Sequence, residues 1–361
     1  MSINDIILWL MAVFVLLGGI DRILGNRFGL GEPFEEGITA MGALALAMLG
    51  ILCLAPVLAG LLRPVVVPLY SLLGADPAMF AGTILANDMG GAPLAMELAE
   101  SKEAGQFGGL IVGAMLGPTI VFTIPVGLGI IQAEDRPFLA KGVLAGVITI
   151  PIGSLAGGLA AGFPIGMVLR NLLPIVLFAL LIALGLWLAP EGMVKGFQIF
   201  GKIVVAIITV GLAAAIWESL TGMVLIPGLT PIAEGFETVG HIAIVLAGAF
   251  PLVHVLTKVF RRPLLALGGV LGVNDTAAAG LVATLANNIP MFGMMSRMDR
   301  RGKVVNVAFA VSAAFVFGDH LGFTAGFDAE MIFPMIVGKL VGGITAVAAA
   351  LFLTKKEAQH G

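Results

Sequence analysis

Two short strings carry the chemistry that can be named first in this 361-residue chain. Asn87–Asp88 and Asn274–Asp275 each sit in a long apolar region, and each sets a carboxylate beside an amide. A carboxylate surrounded by apolar chain is costly, so it faces a cavity or a partner. Two carboxylates with adjacent amide carbonyls suit a small cation, because an ammonium only donates hydrogen bonds and these groups accept them. Asn87 and Asn274 can also address a hydroxyl, as donor or acceptor. The competing reading is structural: each Asp caps the helix that follows, and each Asn satisfies loop backbone. Both readings can hold together.

Asp319 and His320 interrupt another apolar run. A proton relay or a gate is one use for them, since imidazole titrates near neutrality. A charge-assisted hydrogen bond between packed helices is the other. Pro118–Thr119 align with them in the first half of the chain. Thr119 and Thr123, beside Pro118 and Pro125, line the same cavity or bond to their own helix backbone. Glu36 and Glu234 each precede a span and read as acids at helix N-termini. Lys339 lies inside the last span and either snorkels or faces the bundle. His241 and His254 are not at metal-ligand spacing, and a lone cysteine, Cys53, excludes an intrachain disulfide and an all-cysteine site. No metal and no cofactor is expected.

The elements that position these residues must cross a membrane. Hydrophobic residues make up 59% of the chain and charged residues 11%, with a mean hydropathy of +1.09. A soluble chain carries about 25% charge, so this one has too few polar groups to cover a surface. Fifty glycines and 19 prolines inside apolar runs fit transmembrane helices. The net charge of −3, without a basic stripe, argues against a nucleic-acid partner. The first apolar stretch lacks a basic leader and reads as a span that stays. Nine spans are expected, near 5–25, 38–62, 105–131, 140–163, 168–189, 198–219, 238–258, 303–325 and 330–353. Regions 64–99 and 263–296 are apolar but broken by Gly, Pro and polar residues. Basic clusters at Lys258/Arg261/Arg262, Arg297/Arg300/Arg301/Lys303 and Lys355/Lys356 belong in the cytoplasm. That places the N-terminus outside and the C-terminus in the cytoplasm.

The chain also resembles itself. Asn87–Asp88 matches Asn274–Asp275 at an offset of 187, Glu36–Gly37 matches Glu234–Gly235 at 198, and Phe122–Thr123 matches Phe323–Thr324 at 201. The expected fold is an all-α polytopic membrane protein with two inverted-topology repeats, whose broken or re-entrant helices meet near the bilayer midplane. Residues 1–163 form the first repeat, with 64–99 as its broken element. A linking span lies in 164–197. Residues 198–354 form the second repeat, with 263–296 broken, and 355–361 form a cytoplasmic tail. Inverted repeats with broken helices are a recurring transporter plan, because unwound backbone is tolerated only where it lines a cavity. Gly105, Gly109, Gly113 and Gly117 form a stripe for close helix approach, within the chain or at a dimer seam.

No Walker A loop, HExxH, CxxC or GxSxG is present, so an enzyme is not expected. At ILANDMGGAPLAMELA (84–99), GVNDTAAAGLVATLANNIP (272–290), FVFGDHLGF (315–323) and the opening ILWLMAVFVLLGGIDRILGNRFGLGEPFEEGI, the chain resembles the ethanolamine utilisation membrane protein family, EutH. The resemblance covers nearly the whole length. It implies a permease of the bacterial inner membrane that brings protonated ethanolamine into the cytoplasm. Combined with the residues above, it implies facilitated uniport by alternating access, with the ammonium at Asp88 or Asp275 and the hydroxyl at Asn87 or Asn274. Thr119, Asp319 and His320 complete the candidate binding set. The partners are then ethanolamine and membrane lipid, with a homo-oligomer left open. The alternatives are a proton- or sodium-coupled carrier of another small polar solute and, more distantly, a non-transporting scaffold or receptor.

Overall fold

The computed structural model describes residues 2–355, without the side chains of residues 260–262, 264, 265 and 267. Arg261 and Arg262 side chains, Lys356, His360 and the tail from 356 onward therefore lie outside the described residues. All regular structure among the described residues is helical. Helix α1 (Ile3–Ile23) starts at a reciprocal cap, in which the Ser2 hydroxyl accepts from Asp5 N–H and the Asp5 carboxylate accepts from Ser2 N–H. It ends at Asp21, whose buried carboxylate accepts from the N–H groups of Phe28, Leu30 and Gly31. With Asn26 Oδ1, which accepts from Gly31 N–H and Glu32 N–H, that carboxylate supplies the partners that a helix start lacks, and so fixes the turn into α2 (Gly31–Leu72).

Helix α2 runs for 42 residues through Pro56, Pro64 and Pro68. At 1.5 Å per residue it is about 63 Å long, roughly twice the ~30 Å hydrocarbon core. The first broken element follows as α3 (Ala78–Ile84) and α4 (Gly91–Leu98). An interrupted span α5 (Lys102–Ile130), the span α6 (Ala133–Ala160) and the linking helix α7 (Ile165–Leu188) come next. The order then recurs. Helix α8 (Pro190–Thr221) leads to α9 (Ile232–Leu271), 40 residues through Pro251 and Pro263. The second broken element is α10 (Asp275–Ala286) and α11 (Ile289–Met294). An interrupted span follows as α12 (Arg300–Ala313) and α13 (Asp319–Phe327), and α14 (Ile332–Leu353) closes the fold.

Eight helices among the described residues are long and apolar enough to cross a membrane. The ninth expected span, 303–325, is not one helix: it is cut at 314–318, where Phe315 takes a left-handed φ of +64°. The cut has a partner. Phe315 N–H donates to Thr284 O at 3.2 Å and Phe317 N–H to Leu285 O at 2.9 Å, so a non-helical turn bonded to the second hairpin replaces a turn of helix. The broken elements are also shorter than the sequence suggests, because α2 and α9 continue through their prolines to Leu72 and Leu271.

Each broken element doubles back, and each is tied at its base. Asp76 Oδ2 accepts from Glu100 N–H at 3.1 Å, which joins the two ends of the first hairpin. Asp299 Oδ1 accepts from Asn274 N–H at 2.8 Å, and Asn274 Nδ2 donates to Arg297 O at 3.0 Å, which joins the ends of the second.

Small residues set the packing distances between these helices. A Cβ on Gly37 of α2 would stand 2.4 Å from Ala247 N of α9, and one on Gly50 would stand 1.8 Å from Ile208 O of α8. Glycines of α6 do the same work elsewhere: Gly142 meets Val307 of α12, and Gly153 meets Gly338 of α14. The stripe Gly105–Gly117 packs inside the chain, with Gly109 on Ala92 and Gly117 on Leu85. Trp9, Leu16, Leu181, Trp187 and Val210 remain exposed on α1, α7 and α8, as lipid-facing side chains do.

Candidate substrate-binding site

The breaks bring four ionisable side chains into one region. In the first hairpin, Leu85 is extended and Gly90 has φ +94°, and Asn87–Asp88–Met89 form a tight turn between α3 and α4. A Cβ on Gly90 would fall 2.2 Å from Ile51 Cγ1, so only glycine fits there. In the second interrupted span, Asp319 and His320 open α13. His320 Nε2 faces Asp88 Oδ1 at 3.9 Å, and its Nδ1 lies 3.0 Å from Lys339 Nζ of α14. The sequence placed Lys339 only somewhere in the last span; it is 1% exposed and belongs to this cluster.

Lys339 is held there for a backbone reason. Pro118 has no N–H, so the helical acceptor four residues earlier, Ala114 C=O, loses its usual donor. Lys339 Nζ donates to that carbonyl. With Lys339 as an ammonium, which has donors only, Nδ1 of His320 would accept from it and Nε2 would carry the imidazole proton toward Asp88. The result is a line of three side chains, Asp88–His320–Lys339, drawn from a hairpin tip, a helix start and the last span. The His320 ring also packs on Phe315, with ring centroids 5.1 Å apart.

A cavity of about 510 Å³ reaches Asp319, the residue before His320. Its walls come from α2 (Glu36, Thr39), α9 (Phe250, His254), the second hairpin tip (Asn287) and the break before α13, with Asp319 among the lining residues. Glu36 also borders a neighbouring depression with Glu32 and with Glu35, the last paired to Arg22 at 3.0 Å, so Glu32 and Glu36 make the approach to Asp319 acidic. An acidic funnel raises the local concentration of small cations.

The remaining expected residues are placed differently. Asn274 and Asp275 are exposed at the start of α10, where the Asn274 side chain accepts from Ala277 N–H at 2.9 Å. They occupy the base of the second hairpin, one 12-residue helix away from its tip, or about 18 Å. The expectation that the two Asn–Asp pairs approach each other is thus not met. Asn is a strong N-cap, and capping is the use made of it here. Thr119 is buried and its hydroxyl contacts Met115 O at 2.8 Å and Val311 O at 3.0 Å, which ties α5 to α12.

The packing relates the two hairpins at another offset. Gly117 presses on Leu85 O, and Gly318 presses on Ala286 O. Both pairs are 201 residues apart, as are Phe122–Thr123 and Phe323–Thr324, and as are Thr83 and Thr284. In this register the counterpart of Asn87 is Asn288, which is also fully buried. Among the described residues, no group of three or more His, Cys, Asp or Glu side chains is arranged to hold a metal ion.

Comparison with known proteins places the chain. A family model described as "Ethanolamine utilisation protein, EutH" matches residues 3–353. The chain belongs to the EutH family. This EutH-family chain is 65% identical over 356 residues to the "Probable ethanolamine permease EutH" of Listeria monocytogenes serotype 1/2a (strain 10403S), covering 99% of this chain and 95% of that one. It is 53% identical over 395 aligned residues to the protein of the same name from Escherichia coli (strain K12), covering 99% and 97%. It is 54% identical over 354 residues to the "Uncharacterized protein YxeR" of Bacillus subtilis (strain 168), covering 98% and 96%. No solved structure matches the chain.

Proposed function

We propose that this EutH-family chain carries protonated ethanolamine across the bacterial inner membrane into the cytoplasm, as a uniporter working by alternating access. The observation that carries the reading is Asp88: a half-buried carboxylate at a hairpin tip, facing His320 beyond an acidic cavity. The substrate's ammonium pairs with Asp88, with Asp319 as a way station at the cavity floor. Asn87 stands next to Asp88 for the hydroxyl. Asn274 and Thr119 take the supporting roles their hydrogen bonds describe, and Asp275, exposed beside Asn274, also lies outside direct contact with substrate.

The recurring element order supports two repeats of inverted topology, 1–163 and 198–354, with 164–197 providing the odd crossing that inverts the second. With the N-terminus outside, both bases of α1 and α2 and the mouth of the cavity face the cytoplasm. The conformation described is then the inward-open one. Rocking of the hairpin tips against α2 and α9 would close this mouth and open the other side.

A second reading is proton-coupled transport, and the line Asp88–His320–Lys339 favours it. Labelled ethanolamine uptake into proteoliposomes, with a proton gradient, a sodium gradient or none, separates the two, with empty liposomes as control. Protein-dependent flux that equilibrates without a gradient supports uniport. Accumulation driven by a proton gradient assigns the line to coupling. Absence of protein-dependent flux in every condition rejects ethanolamine transport.

A further inference from the structure

The two halves differ at one polar contact. Asn288 Nδ2 donates to Thr123 Oγ1 at 3.0 Å, both side chains being buried. At the 201-residue offset their counterparts are Asn87 and Thr324. Those two are also fully buried, yet neither the amide nitrogen nor the amide oxygen of Asn87 has a partner, and neither does Thr324 Oγ1, whereas Asn288 leaves only its oxygen unpaired. Buried polar groups are nearly always paired, so each unpaired one needs an explanation, and a bound ligand is one.

The two orphans belong to the same neighbourhood. Thr324 is four residues after His320 on α13, so both project from one face of that helix. The turn Asn87–Met89 packs against α13, and His320 reaches Asp88 from that face. One turn along from the ammonium site, therefore, the chain holds an amide and a hydroxyl with unused hydrogen-bonding capacity.

We propose that Asn87 and Thr324 form the subsite for the substrate's hydroxyl, which makes Thr324 a specificity-determining residue. This rests on the reading of the chain as an ethanolamine carrier. The donor inventory selects the ligand. An alcohol accepts from Asn87 Nδ2 and donates to Asn87 Oδ1 or Thr324 Oγ1, whereas a bare cation engages the oxygens and leaves the buried NH2 unpaired. In the other half the hydroxyl of Thr123 fills the equivalent place.

The test compares ethanolamine with ethylamine, which keeps the ammonium and lacks the hydroxyl. Each is measured as a competitor of labelled ethanolamine uptake in proteoliposomes, and by thermal shift of the purified protein. Wild type should prefer ethanolamine, and Thr324→Val should reduce that preference at least tenfold while ethylamine binding stays unchanged. Thr324→Ser should restore it. Thr345→Val, whose hydroxyl bonds only to its own helix, should leave the preference as it is. A folded Thr324→Val protein that keeps full preference overturns the assignment. Loss of sodium dependence with the preference intact overturns it in favour of a cation site. Wild-type binding that discriminates the two amines, without any flux, rejects the transport reading and leaves the subsite standing.

Discussion

At the scale of single residues, the centre of the site is a charge problem solved by neighbours. Asp88 is half-buried at the hairpin tip, and its neighbours there are His320 and, behind it, Lys339. Replacing Asp88 with Asn removes a charge-assisted contact worth about 1.5–3 kcal/mol, so ethanolamine uptake below saturation should fall roughly tenfold to a hundredfold. Equal uptake at matched expression would contradict the assignment. Lys339→Met leaves His320 Nδ1 and the Ala114 carbonyl without their partner, and removal of one member of a buried charged set costs about 3–5 kcal/mol. A marked drop in the thermal midpoint is expected. Asp88→Asn added to Lys339→Met should cost less than the sum of the two, because they share one network. Asp88 and His320 were legible as polar breaks in apolar runs. Lys339 was legible as a cation that snorkels or faces the bundle, and it faces the bundle; its partners were not read, although a lone cation inside a span must have one and Pro118 announces a carbonyl without its donor.

At the scale of elements, the two interrupted spans work because a glycine in each lets a hairpin carbonyl come close. A Cβ on Gly117 would lie 1.9 Å from Leu85 O, and one on Gly318 would lie 2.2 Å from Ala286 O. Gly117→Ala should therefore lower both stability and uptake, measured by thermal unfolding in detergent and by flux. Gly42→Ala, with nothing within 4 Å of the added carbon, should be neutral or stabilise by up to ~1 kcal/mol through helix propensity. If the two substitutions behave alike, the close approach is not what holds the hairpin. Eight of the nine expected spans were readable from hydropathy alone, and so was the presence of two broken elements, whereas the cut at 314–318 within 303–325 was not. Nor was the register of the broken elements. Identity drew Asn87–Asp88 toward Asn274–Asp275, whereas the packing aligns Thr83 and Asn87 with Thr284 and Asn288. A cap at a helix start and a turn at a hairpin tip both favour Asn, so the residue type alone could not choose between base and tip.

At the scale of the whole molecule, the acidic cavity opens beside the start of α2, and with it comes a prediction about sidedness. Cys53 is buried and is the only cysteine, so a Cys53→Ala background is blank for thiol reagents. Thr39→Cys, on the cavity wall, should then react with a membrane-impermeant maleimide from the cytoplasmic side, more slowly when ethanolamine is present. Reaction from the outer side alone would invert the orientation given above. The tied hairpins have a consequence for how such a chain is made. Helix α10 is 12 residues long and α11 only 6, too short to be retained in lipid on their own account. Biogenesis must therefore run out of chain order: the hairpin waits in water until the flanking spans have entered, and then follows them in. Nascent chains that end near residue 298 should leave 275–297 open to aqueous labelling, with protection arriving only once 300–353 has been synthesised.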